Sequence, residues 1–449
     1  SHALFLRIFS IGCVLTAISN FPSGFTATSL NTAVHLIDSF LNDSFIERDS
    51  PLEQPDLAVL KSTLNNVWYA AQILGAIPAA FIADRMGRKF AYITATLMMT
   101  GASALQTLST LILCPELLIG SRALIALFSP LSDTSLVLYL QESSPMHLRG
   151  TLSSLFVSGY AVMYLLGMAL GSLIDHSLPL LLFIPVPIGI ISVIFLIFLP
   201  ETPKYLLSKG DKKAAFRSLA FFQGKKEDHI STIEEWNAMA FEEENTGEGS
   251  IKSLLSTPHL RRAFFLSISA LFLTLPFVPI QQNSTHFFVA IGIDKPRAQL
   301  QSTLLMVLYT VSSLISTTLM DVIPRRKMLL IFAIFAFSSL FVFSLAAQFK
   351  LPNIATFAVF FFQFAYGVGI EPVAWCLNPE LVPLSHRLIM FCTCFATHSI
   401  MVVLTNFLAL PLFDVMGGLY FVLVFILPSF LFIFVLYLYL PETAGKELY

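Results

Sequence analysis

Charge is scarce in this chain. Only 12% of its 449 residues are Asp, Glu, Lys or Arg, against about 25% in ordinary soluble proteins. So few charges cannot cover the water-facing surface of a chain this long, which excludes a soluble enzyme, a nucleic-acid binder and a disordered scaffold. A charge imbalance is also missing: the net charge is −2, which points to neither an acidic nor a basic partner. Cysteine is sparse. The five, at 13, 114, 376, 392 and 394, are odd in number and form no C-x-x-C or Cys/His grouping, so neither a disulfide framework nor a zinc site is indicated. A phosphate-binding G-x-x-x-x-G-K-[ST] loop is absent as well, which leaves ATP-driven pumping unsupported. No catalytic residue, metal or cofactor is expected.

Hydrophobic residues are what the chain has in abundance. They make up 56% of it, Phe alone contributes 43, and the mean hydropathy is +0.77. Apolar runs of roughly 20–28 residues, each long enough to span a bilayer, recur near 5–34, 57–82, 89–111, 115–141, 148–174 and 178–199, then near 260–290, 297–322, 327–349, 353–380, 386–413 and 416–440. These continuous runs are unlike the short alternating strands of a membrane barrel. The run at 5–22 resembles a leader peptide, but it continues into a patterned span and is read as part of it. The prediction is an all-α membrane protein of about twelve transmembrane helices in two six-helix halves, 1–199 and 258–449. Between them, 200–257 forms a polar linker with short amphipathic helices. It carries Lys209, Lys212, Lys213, Lys225, Lys226 and the run Glu242-Glu243-Glu244.

Basic residues set the expected orientation. Placing the segments near 83–90, 142–150, 200–262, 324–327, 381–387 and 441–449 on one side collects 19 of the 26 Lys and Arg there, against 5 in the opposite loops. That side, with the linker and both termini, is expected to be cytoplasmic. The longest opposite loop, about 37–56, carries Asn42-Asp43-Ser44, a glycosylation sequon on the side where glycosylation occurs. A second match, Asn283-Ser284-Thr285, falls inside a span and is not expected to be modified.

The halves echo each other. Asp84-Arg85-Met86-Gly87-Arg88-Lys89 after span two matches Asp321-Val322-Ile323-Pro324-Arg325-Arg326 after span eight. Glu142-x-x-Pro145-x-x-x-Arg149 matches Glu380-x-x-Pro383-x-x-x-Arg387, and Pro200-Glu201-Thr202 matches Pro441-Glu442-Thr443. The offsets are nearly constant: 237 from 84 to 321, 238 from 142 to 380 and 241 from 201 to 442. A six-span unit repeated in parallel is an architecture in which substrate binds at mid-membrane between two rocking halves. Acids and bases alternate at the span ends, so ion pairs between the halves are expected to hold the cytoplasmic side shut and to part as the halves rock.

These motifs carry a resemblance. D-R-x-G-R-K at 84–89, E-S-x-P-x-x-x-R-G at 142–150, P-E-T-P-K-Y-L at 200–206 and P-E-T-x-G-K at 441–446 are together similar to the sugar porter family of the major facilitator superfamily, and within it to the animal facilitative hexose transporters. The resemblance covers essentially the whole chain. It implies a cytoplasmic gate at Asp84, Arg85, Arg88, Glu142, Arg149, Glu201, Asp321, Arg325, Arg326, Glu380, Arg387 and Glu442. It also implies sugar contacts from the paired amides Gln281 and Gln282 and from Trp375. The departures are Ala80 and Pro324, where Gly is usual, and Val157, Phe287 and His398, where the family carries amides. Proton-coupled members place an Asp in span one where this chain has Thr26, which implies uniport.

A hexose needs several hydrogen-bonding groups and an aromatic face. Gln281, Gln282, Asn283 and Ser284 put four polar side chains in a row inside a span, which points to a water-filled cavity; Gln281, Gln282, Asn283, Trp375 and His398 are the expected substrate-binding residues. Asp133 and Glu371 also lie deep in spans, where ionisable groups are costly, and are candidates for proton or ion coupling. Arg122 is three helical turns from Asp133, roughly 16 Å away, too far to pair. The expected function is alternating-access transport of a monosaccharide in the plasma membrane, with the bilayer and the substrate as partners and neither nucleic acid nor an obligate protein partner. A carrier of organic ions or a proton-coupled transporter on the same fold remains open, as does a non-transporting nutrient receptor.

Overall fold

A segment that leaves water must satisfy its own backbone hydrogen bonds, and a helix does so locally. The structure, a computed structural model, describes residues 2–49, 54–143, 149–174, 176–224, 250–320, 322–383 and 386–443, and no strand occurs among them. Twelve long helical segments fill the bundle. The first six are Leu6–Thr32, Gln54–Met86, Arg88–Leu111, Pro115–Ser143, Arg149–Leu173 and Leu178–Phe198. The second six are Pro258–Ile291, Lys295–Leu319, Arg325–Gln348, Pro352–Glu380, Arg387–Met416 and Leu419–Tyr439. They are called spans 1 to 12 below. This is the fold expected from the apolar runs.

Ten of the twelve are apolar enough to cross a membrane on composition alone; spans 2 and 3 are more polar. Span 3 shows why polar residues are tolerated there. Its lipid-side face exposes Phe90, Leu97, Leu105 and Leu108, whereas Thr96, Thr100, Ser103, Gln106 and Ser109 are buried among neighbouring helices. The hydroxyls of Thr96, Thr100 and Ser103 each bond the carbonyl four residues earlier at 2.7–2.9 Å. Small polar side chains that satisfy themselves in this way let helices approach closely without stranding a donor in lipid. Gly167 and Gly171 serve the same end on span 5. A Cβ at Gly171 would lie 2.4 Å from the carbonyl oxygen of Ser29, and one at Gly167 would lie 2.9 Å from that of Phe25, so spans 1 and 5 touch backbone to backbone.

Three spans are broken where they border the centre of the molecule. Span 1 widens into a π-turn at Phe21–Phe25, around Pro22 and Gly24. Span 10 does so at Tyr366–Ile370, just before Pro372. Span 7 is interrupted between Phe272 and Phe277, next to Pro276. Pro removes a helix donor and crowds the preceding turn, and π-turns are frequent at functional positions.

The loop expected at 37–56 is helical over much of its length. Val34–Ile46 continues span 1 after a single turn residue. Leu36, Ile37, Phe40 and Leu41 recur at helical spacing and pack against Leu57, Leu64, Leu118, Leu178 and Leu182, which is why the helix persists. Asn42 lies on its exposed side. In the linker, Pro203–Ser208, Lys212–Gln223 and Ile251–Ser256 are short helices. The middle one buries Ala215, Leu219 and Phe222, with Phe222 against Tyr139 of span 4. Lys225, Lys226 and the 242–244 acidic run lie outside the described residues.

Candidate functional site

The broken stretches of spans 1, 7 and 10 meet around a cavity that spans 2, 5 and 11 complete, so both halves contribute to its wall. Its volume is about 100 Å³. A water needs about 10–15 Å³ by the same measure, so the space holds a small molecule rather than a single solvent. Gln281, Trp375, His398 and Glu371 all line it, together with Gln72, Tyr160, Tyr164, Thr274, Tyr366 and Ser399.

Each polar group is held by its neighbours. The main-chain carbonyl of Gln281 accepts the Asn31 amide at 2.6 Å, which ties span 7 to span 1 and leaves the Gln281 side chain on the cavity wall. The Trp375 ring packs 5.6 Å from Phe395 and 5.3 Å from the His398 ring, edge to face with the latter. Thr274 donates its hydroxyl to the Leu271 carbonyl at 2.7 Å, so its oxygen is free to accept from His398 Nε2 at 2.9 Å. In neutral imidazole this leaves Nδ1 as an acceptor. Tyr309 donates its hydroxyl to Oε2 of Glu371.

Sequence reasoning grouped Gln281, Gln282 and Asn283 on the cavity. Of the three, the structure places only Gln281 on its wall. Successive helical residues turn by 100°, so a run of four polar side chains points four ways. Gln282 Oε1 accepts the Asn406 amide at 2.7 Å, and that amide also reaches Asn66 Oδ1 at 3.3 Å. Ser284 donates to Ser302 at 2.9 Å, and Asn283 is buried off the wall. Gln282 thus binds spans 2, 7 and 11 together as interhelical glue.

Asp133 lies behind the wall rather than on it. Buried in span 4, it accepts hydroxyls from Ser19 at 2.9 Å, Tyr160 at 2.9 Å and Ser129 at 3.3 Å. Tyr160 itself lines the cavity and accepts from Ser23 at 3.0 Å. Arg122 is equally buried and pairs with main-chain oxygens, donating to Thr26 at 2.9 Å and Leu64 at 3.1 Å, with its guanidinium over the Trp68 ring. Val157, where the resemblance implies an amide, gives the cavity an apolar patch. Phe287 is packed 4.5 Å from Phe413, away from the wall.

Sequence reasoning missed Tyr160, Tyr164, Tyr309 and Tyr366. Tyr favours the membrane interface, and a buried Tyr hydroxyl needs a partner. A tyrosine deep in an apolar run was therefore the available signal.

At the end of the bundle that carries the repeated motifs, several contacts recur in both halves. Arg88 pairs with Glu142 at 3.0 Å and with Asp84 at 3.2 Å, and Arg325 pairs with Glu380. Glu201 accepts the Lys89 main-chain N–H at 3.0 Å, while Glu442 accepts that of Arg326 at 3.2 Å. Lys89 Nζ reaches the Ile197 carbonyl at 2.7 Å, and an Arg326 guanidinium N–H reaches that of Tyr437 at 2.5 Å. Burial pushes the Glu201 carboxyl up from its ordinary range, partly offset by the Thr202 and Lys89 N–H groups.

These pairs correct an expectation. Among the described residues, the ion pairs of Arg88, Glu142, Arg325 and Glu380 stay within one half; they clamp the turn between two spans onto the end of a third and do not bridge the halves. The geometry follows from the repeat, because each six-span unit carries its own complete set of acids and bases. Gly87 makes the first turn possible: its φ is +96°, and a Cβ there would sit 2.6 Å from a Glu201 oxygen. Pro324 takes its place in the second turn at φ −54°. Asp321 and the Arg149 side chain lie outside the described residues.

Contacts between the halves flank the cavity on both sides. Asn31 with Gln281 and Asn66 with Asn406 lie toward the end opposite the motifs. Phe156 with Phe391, ring centroids 6.5 Å apart, lies toward the motif end.

The model of a family described as "Sugar (and other) transporter" matches residues 12–449. Among curated proteins, the chain is 26% identical to facilitated glucose transporter member 7 of solute carrier family 2 from Mus musculus, over 96% of this chain and 88% of that protein. It is 23% identical to member 5 from Rattus norvegicus, over 95% and 88%. Among solved structures, it superimposes with a TM-score of 0.82 at 17% identity on the proton:xylose symporter XylE bound to 6-bromo-6-deoxy-D-glucose, covering 98% of each chain. The score is 0.75, also at 17% identity and 98% coverage of each, for the inward-open conformation of the xylose transporter XylE from E. coli.

Proposed function

Since the chain belongs to the sugar transporter family, an integral membrane family of transporters and not enzymes, we propose that it carries a hexose-like monosaccharide across the plasma membrane by alternating access, as a facilitative uniporter. One observation carries this reading: a cavity between the two halves in which an amide, an imidazole and an indole share one wall. The Gln281 amide and His398 Nδ1 take sugar hydroxyls, and the Trp375 face takes the C–H surface of the ring. Gln282 and Asn283 act behind this wall, where Gln282 holds spans 2, 7 and 11 in register.

Residues 1–199 and 258–449 rock about the cavity, tethered by 200–257. The Asp84, Arg85, Arg88, Glu142, Arg149 and Glu201 cluster and its counterpart, Asp321, Arg325, Arg326, Glu380, Arg387 and Glu442, keep each half rigid at its cytoplasmic end, so that the halves part as units. Both termini and the linker face the cytoplasm, and Asn42 on the exposed outer helix is the glycosylation acceptor.

Uniport is supported at Thr26. Thr26 has no titratable side chain, and its main-chain oxygen, with that of Leu64, accepts hydrogen bonds from the buried Arg122 guanidinium. The test is uptake of a panel of labelled sugars into proteoliposomes. Saturable uptake that distinguishes D- from L-hexoses is expected; failure of every sugar to enter would remove the reading.

A further inference from the structure

One group on the cavity wall carries a charge that a neutral sugar does not balance. Glu371 is the first residue of the helical stretch Glu371–Glu380, set directly after the π-turn of span 10, and its side chain lines the cavity. Tyr309 donates to Oε2. Among the described lining residues there is no Lys or Arg, and Glu371 is the only carboxylate. His398 does not balance it: with Nε2 engaged by Thr274, the neutral ring offers the cavity another acceptor. Of the nineteen lining residues, nine are aromatic. A carboxylate without a cationic partner, surrounded by ring faces, is an environment that attracts a cation through both its charge and the ring quadrupoles. A neutral polyol can donate hydroxyls to the carboxylate and lay C–H groups on the rings, but it leaves the negative charge unbalanced.

We propose that the preferred substrate is a sugar-sized molecule bearing a primary ammonium group, seated with the nitrogen between Glu371 and the neighbouring aromatic faces. The inference rests on the carrier reading above and narrows its substrate class. The hydroxyl side of the molecule meets Gln281 and Trp375, as a neutral sugar would. The ammonium adds a charge-assisted hydrogen bond to Glu371 and a cation–π contact. Glu371 is therefore a specificity residue that touches substrate.

The experiment uses the full chain in detergent and reads quenching of tryptophan fluorescence, because Trp68 and Trp375 both line the cavity. D-Glucosamine, N-acetyl-D-glucosamine and D-glucose are titrated at pH 6.5, where a free amine is charged. D-Glucosamine is expected to bind about ten- to a hundredfold tighter than either neutral sugar, the span of one charge-assisted hydrogen bond. In Glu371→Gln that ratio should collapse to near one. The acetylated ligand removes the charge without touching the protein, so the comparison stands even where the variant folds poorly. Equal or weaker binding of D-glucosamine than of D-glucose, or a preference that persists in Glu371→Gln, overturns the inference and leaves the carrier reading intact. If none of the three sugars binds, the carrier reading falls and this inference falls with it.

Discussion

Glu142 accepts a hydrogen bond from the hydroxyl of Thr202, locking the end of span 4 to the chain that leaves span 6. The matching pair in the second half, Glu380 and Thr443, does not form this bond: Glu380 Oε2 and the Thr443 hydroxyl are both buried without a hydrogen-bond partner. The two halves are otherwise closely alike here, down to the N–H groups bound by Glu201 and Glu442. The first half is thus fully latched and the second is not.

Removing the hydroxyl should therefore matter in only one half. Thr202→Val is expected to lose about 1.5–3 kcal/mol, the worth of a hydrogen bond to a charged group, and to lower the thermal unfolding midpoint in detergent. Thr443→Val should leave the midpoint nearly unchanged. Equal effects of the two substitutions would show that the asymmetry has no energetic content.

The amides of span 7 should separate by phenotype. Gln281→Ala removes a side chain from the cavity wall and should weaken sugar binding by about 1–2 kcal/mol with the melting temperature preserved. Gln282→Ala strands the Asn406 amide instead, and its main effect should be on stability. Measuring Kd and melting temperature on both variants checks this; a Gln282→Ala that binds tenfold more weakly at full stability would put Gln282 back on the site.

Reversing Glu380 to Arg sets two like charges together at Arg325. Loss of this partly buried pair should cost about 3 kcal/mol or less and loosen the clamp on the turn between spans 8 and 9. Labelling by a thiol reagent of cysteines introduced at the motif end of the bundle should rise. The double reversal Arg325→Glu with Glu380→Arg should bring labelling back down. If the single reversal labels like the wild type, the pair only anchors the helix ends.

Energy coupling has a direct readout. Proteoliposomes with an inward proton gradient are expected to equilibrate substrate without concentrating it, since Thr26 and its Arg122 contact contribute no titrating group. Concentrative uptake that a protonophore collapses would overturn uniport. Abolition of that uptake by Glu371→Gln or by Asp133→Asn would identify the carboxylate that moves the proton.

Much of the fold was legible because its signals are local. Twelve apolar runs, the basic bias of one set of loops and three motif pairs at offsets of 237 to 241 each need only linear spacing to be read. The helix at Val34–Ile46 was not legible as one: its polar residues suggested a loop, whereas Leu36, Ile37, Phe40 and Leu41 find a surface only once spans 2, 4 and 6 are in place.

The site divides in the same way. Gln281, Trp375, His398 and Glu371 could be found as polar, aromatic or ionisable residues in apolar surroundings, because the bilayer makes any such group conspicuous. Which of four consecutive polar residues faces the cavity depends on helix rotation, and that is set by contacts such as Asn31 with Gln281 and Asn406 with Gln282, each between residues more than a hundred positions apart. The tyrosines around Asp133 and Glu371, and the pairing of each motif within its own half, depend on the same long-range packing. That this chain crosses a membrane as a repeated bundle of helices can be read from its residues in order, because hydropathy and repetition are properties of neighbouring residues. Which side chains share the cavity is settled only in three dimensions, because helix rotation and kink angle depend on the helices packed alongside.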